Sequence, residues 1–102
     1  MVDVQPSVVM LAVPLTYRAI RLILDRNRES SRSLPTLPPS VVLALETALR
    51  GPSLVGGDSY HVTLTAEDAT TLIAWCREVA QASSPRDGAV LRVAAAVVAG
   101  AP

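Results

Sequence analysis

The fold class this sequence predicts is a small α+β domain, mostly helical, in which a strand-helix-helix unit occurs twice around one aliphatic core. Three observations carry that expectation. Two short segments with strand patterning are each followed at once by a stretch whose apolar residues recur with the 3.6-residue period of a helix. Half of the 102 residues are apolar, yet with no Phe, one Trp and two Tyr the core must be built from Ala, Val, Leu and Ile. Sliding the chain over itself by 49 positions without gaps gives seven identities across positions 11 to 51, where this composition yields roughly four by chance.

A chain of this length buries roughly two-thirds of the surface that its unfolded form exposes, enough for one core. Residues 1–102 are therefore expected to form a single domain. Its repeat units fall at about 7–51 and 56–100, joined by a Gly-rich turn at 52–58. About 45 residues rarely bury a core alone, so the units must share one, with the two strands side by side and four helices around them.

Taken in order, Ser7–Val13 is short, apolar on both sides and closed by Pro14, which predicts a buried strand. From Thr16 to about Ser31, Ala19, Ile20, Ile23, Leu24 and Asn27 fall on one helical arc, with Arg18, Arg21, Asp25, Arg28 and Arg32 opposite. Ser33–Pro39 holds three prolines and reads as a loop anchored by Leu34 and Leu37. Helical spacing resumes over Ser40–Arg50 and stops at Gly51-Pro52. Tyr60–Leu64 alternates Tyr60, Val62 and Leu64 against His61 and Thr63, the period of a half-buried strand.

Thr65 is placed to cap a third helix, with Glu67 and Asp68 in its first turn. Its apolar face comprises Ala69, Leu72, Ile73, Cys76, Val79 and Ala80, and Ser83-Ser84-Pro85 breaks it. A last helix, capped by Ser84 or Asp87, is expected from about Gly88 to Ala99. Arg92 alone interrupts its Ala and Val side chains, so the helix is expected either to be central or to turn one face to another chain. Val90, Val93, Val97 and Val98 are its candidate interface residues.

Candidate chemistry is sparse. His61, the single histidine, has no nucleophile or triad spacing near it and reads as a solvated strand residue. Cys76, the single cysteine, lies on an apolar helix face, where a thiol packs as a small hydrophobe; it can form no internal disulfide. Glu67 and Asp68 suit a helix start better than acid-base work. Phosphate-loop, paired-cysteine, HExxH and EF-hand patterns are missing, so no catalytic, metal or cofactor residue and no small-molecule substrate is expected. The apolar run near the start lacks a basic n-region, and Arg18, Arg21 and Arg92 cut the apolar stretches below a membrane span, which predicts a cytoplasmic protein.

Nine arginines, no lysine and nine acidic residues sum to zero net charge, but the charge is uneven. Five arginines face two carboxylates between Tyr17 and Arg32, and such a stripe can contact phosphate. Pairing of Arg21 with Asp25, and of Asp25 with Arg28, accounts for the same residues as a solvated helix face. Tyr60–Gly100 also resembles the strand-helix-helix order of the ribbon-helix-helix DNA-binding proteins, with Ser59, His61 and Thr63 as the outward set that would read DNA. The resemblance covers less than half of the chain and rests on element order alone. The first half departs from it in an all-apolar strand and a long, proline-rich inter-helix loop.

The resulting expectation is a non-enzymatic binding or regulatory module that acts through protein-protein association and self-associates as a homo-oligomer. The alternative is a small DNA-binding regulator using Arg18, Arg21, Arg28, Arg32, His61 and Thr63.

Overall fold

A computed structural model describes residues 10–29, 35–53 and 58–101. Among them the order is β1 (Met10–Thr16), α1 (Tyr17–Arg28), α2 (Pro39–Arg50), β2 (Ser59–Thr65), α3 (Ala66–Gln81) and α4 (Pro85–Ala99). The two strands pair antiparallel, so the domain is mixed α+β with a two-stranded ribbon and four helices among the described residues. A two-stranded ribbon is marginal alone, and here the helices supply most of the burial. Val13, Leu15, Val62 and Leu64 point inward at no more than 2% exposure and join Ile20, Ile23, Val41, Leu45, Leu72 and Leu91 in one core.

The first strand differs from its expected bounds. Ser7 to Val9 lie outside the described residues, and the strand runs through Pro14 to Thr16. In a two-stranded ribbon each strand keeps one unpaired edge, so a proline whose missing N–H faces that edge removes no ladder bond. Pro14 is exposed, opposite His61. Nor is β1 buried on both sides, since Met10, Ala12, Pro14 and Thr16 face outward.

Each strand passes straight into a helix, and a threonine makes both junctions. The Thr16 hydroxyl accepts from the Ala19 amide at 3.1 Å, and that of Thr65 accepts from the Asp68 amide at 3.0 Å, each satisfying an otherwise orphaned helix N–H. Ser84 serves α4 likewise, accepting from the Asp87 amide at 3.3 Å, with Pro85 in the first turn. α1 ends at Arg28; Ser31 lies outside the described residues.

α2 packs alongside β2, and α4 packs along α3 and against β1. The α3–α4 approach needs Gly88, which is buried in α4: a Cβ there would sit 3.0 Å from the Ala80 carbonyl oxygen. The proline-rich connection is fastened from both sides. The buried Trp75 indole N–H donates to the Pro35 carbonyl at 2.9 Å, Asn27 Oδ1 accepts from the Leu37 amide at 2.8 Å, and Leu37 is 6% exposed. Leu34, the other expected anchor, lies outside the described residues.

The 49-residue offset recurs in a few features of the fold, which does not confirm a duplication. It relates the bounds of β1 to those of β2, Thr16 and its bond to Thr65 and its bond, and the closing Gly51 to Gly100. Val13 stands opposite Val62 at the centre of the register, as a local twofold between the strands requires. The helices depart from this correspondence: α1 has 12 residues and α3 has 16, and α3 packs far more intimately on α4 than α1 does on α2.

Candidate interaction surface

Two clefts flank the ribbon. The larger, of about 600 Å³, lies between β2 and α2, and its lining includes His61, Thr63, Ser40, Thr47, Asp68 and the apolar Met10 and Leu43. The smaller, of about 290 Å³, lies between β1 and α4, and its lining includes Pro14, Leu15, Thr16, Arg18, Ala19, Ala89, Val90, Val93 and Val97. Their linings correspond at the same offset of 49, Ser40 with Ala89, Thr63 with Pro14 and Asp68 with Ala19. Similar backbone positions thus carry a cleft of mixed lining on one side and an almost wholly apolar one on the other.

In the larger cleft the Ser40 hydroxyl donates to Asp68 Oδ1 at 3.2 Å, drawing the start of α2 to the start of α3. Across the ribbon, the exposed Val93 projects from α4. It is 63% exposed, against 59% for Leu43 and 51% for Met10. α4 is therefore not central: Leu91, Ala94, Ala95 and Val98 are buried, while Ala89, Val93, Ala96 and Ala99 are exposed. Of the candidate interface residues, Val90, Val93 and Val97 line the apolar cleft, whereas Val98 is 2% exposed and belongs to the core.

The arginines and the outward strand residues do not converge. Arg21 is paired with Asp25 at 3.3 Å. Arg26 reaches inward, its Nη2 donating to Ser83 Oγ at 3.1 Å, and that hydroxyl donates in turn to the Val79 carbonyl at 2.7 Å. Arg28 is exposed at the end of α1, and Arg32 lies outside the described residues. Arg18 borders the apolar cleft, while His61 and Thr63 border the other. The outward residues of the ribbon are Met10, Ala12, Pro14 and Thr16 on one strand and His61 and Thr63 on the other, none of them Arg or Lys.

Cys76 is buried, and desolvation pushes its thiol up to about 12, so at neutral pH it carries no nucleophilic thiolate. Among the described residues there is no group of three or more His, Cys, Asp or Glu placed to hold a metal ion. No described helix is long and apolar enough to cross a membrane.

Leu43 and Met10 escape a periodicity argument for different reasons. Leu43 stands on the polar side of α2 among Glu46, Thr47 and Arg50, and that misplacement was its signal. Met10 falls in the apolar run Ser7–Val13, where no alternation marks an outward residue. Ser40, Thr47 and Asp68 come together only through the packing of α2 against β2 and the start of α3. Compared with protein-family models, with curated proteins and with solved structures, the chain matches none.

Proposed function

We propose that this chain is a non-enzymatic binding module that acts by associating with protein chains, copies of itself included. One observation carries the reading: Met10, Leu43 and Val93 stay exposed in clefts that open along the ribbon, although the same fold buries a complete core beneath them. Covering a side chain of this kind stabilises a complex by roughly 1.5–3 kcal/mol. Absence of a cation from the ribbon's described outward face, the pairing of Arg21 with Asp25 and the inward reach of Arg26 favour association over contact with phosphate.

The test is sedimentation velocity over a wide concentration range, with circular dichroism to confirm folding. Wild-type chain is expected to associate with rising concentration, and Val93→Asp to remove or weaken that association without loss of helix. A monomer at every concentration up to millimolar would defeat the reading for self-association.

A further inference from the structure

We propose that the association is head-to-tail: the exposed face of α4 from one copy docks in the β2–α2 cleft of the next. This inference rests on the self-associating reading above and specifies its geometry.

The choice of occupant follows from charge. α4 presents Val93 with Arg86 two turns before it on the same face and Arg92 beside it in sequence, and neither arginine has an ion-pair partner among the described residues. Packing α4 against the same helix of a second copy about Val93 would set Arg92 beside Arg92, a like-charge contact. The β2–α2 cleft offers the complement. Met10 and Leu43 supply apolar surface for Val93, and Asp68 supplies a carboxylate for an arginine. Dimensions also agree, since the 15 residues of α4 span roughly 22 Å and the 12 residues of α2 that wall the cleft span roughly 18 Å. One such contact covers three of the four large hydrophobics that the described fold leaves exposed. A heterologous contact repeats until it closes, so wild-type chain should form rings or open chains rather than stop at a dimer.

Mixing two variants separates this geometry from a symmetric one. Val93→Asp spoils the helix face and keeps the cleft; Leu43→Asp spoils the cleft and keeps the helix face. Both positions are exposed, so each variant should retain the wild-type circular dichroism. Each alone is expected to be monomeric in sedimentation at concentrations where wild type associates. Their equimolar mixture is expected to form a one-to-one pair and nothing larger, because only one working helix face and one working cleft meet. Placing Asp68→Asn in the Val93→Asp chain should weaken that pair a few-fold, as for a partly solvated ion pair.

Association of wild type without rescue by mixing would overturn the head-to-tail contact and leave the self-associating reading intact. Unweakened association of either single variant would likewise overturn it. Insensitivity of the mixed pair to Asp68→Asn would overturn the charge pairing that orients the helix. Monomeric wild type would defeat both readings.

Discussion

Trp75→Phe tests the attachment of the proline-rich connection to the core. The indole is 3% exposed, and its N–H reaches the Pro35 carbonyl at 2.9 Å, forty residues away along the chain. Phenylalanine keeps a ring but removes the donor, stranding a partly buried carbonyl at a cost of about 1–2 kcal/mol. The lost ring volume adds about 1–2 kcal/mol of reduced packing, for a total of about 2–4 kcal/mol. In a domain of this size that lowers Tm by roughly 10 °C or more. Urea unfolding followed by far-ultraviolet circular dichroism is the appropriate assay, because the substitution removes the sole tryptophan fluorophore. The midpoint should fall while the slope with urea stays unchanged. Asn27→Ala removes the other fastening, the bond from the Leu37 amide, and both act on the same short segment. The double variant should therefore be less destabilised than the sum of the singles. A loss below about 0.5 kcal/mol for Trp75→Phe, or strict additivity with Asn27→Ala, would refute the double fastening.

Replacement of either capping threonine by alanine should cost about 1 kcal/mol, measured by urea unfolding, since each hydroxyl holds one helix-start amide. Thr16 and Thr65 lie at opposite ends of the ribbon, roughly 20 Å apart at 3.3 Å per residue, so Thr16→Ala with Thr65→Ala should cost the sum. Gly88→Ala, which stabilises an ordinary helix interior by about 1 kcal/mol, should destabilise this one because its Cβ would meet the Ala80 carbonyl at 3.0 Å; a raised urea midpoint would count against that close approach. Cys76 should react with a thiol reagent far more slowly in the native chain than in urea. With a folded pKa raised to about 12 from an ordinary value near 9.0, the unfolded chain loses its thiol proton first, so stability falls as pH rises between them by up to about 1.4 kcal/mol per pH unit. Comparing wild type with Cys76→Ala isolates that slope, which should vanish in the variant.

Local signals were legible wherever one side of an element faced the core. The alternation from Tyr60 to Leu64 correctly placed Val62 and Leu64 inward and His61 and Thr63 outward, because water on one face imposes a period of two. The arc Ala19, Ile20, Ile23 and Leu24 was legible for the same reason, as was the cap at Thr65. β1 was harder, since its outward residues are also apolar and Pro14 imitates a terminator in any setting but a ribbon edge. Trp75 falls outside the expected face of α3 because its indole N–H is met by a carbonyl supplied by a connection distant in sequence. The clefts were beyond reach for a related reason: each joins a strand of one half to a helix of the other, β2 to α2 and β1 to α4. No window along the chain contains both walls.

The unlike chemistry of the two clefts is the reason to treat them as surfaces shaped for contact rather than as by-products of packing. Ser40, Thr63 and Asp68 on one side have Ala89, Pro14 and Ala19 at the corresponding places on the other, and both sides support a strand, a threonine cap and a flanking helix. The backbone therefore tolerates either set, and packing alone does not explain why hydroxyls and a carboxylate gather on one side while Val90, Val93 and Val97 gather on the other. Zero net charge acts in the same direction, because a chain without net charge meets its own copies with little repulsion. Arg21 and Arg26 are engaged within the chain, and the charges that line the two clefts, Arg18 beside α4 and Asp68 across the ribbon, have opposite signs on separate faces. A twofold dimer that set each face against its own kind would leave both charges unanswered, whereas the proposed contact of α4 with the β2–α2 cleft would set them against each other.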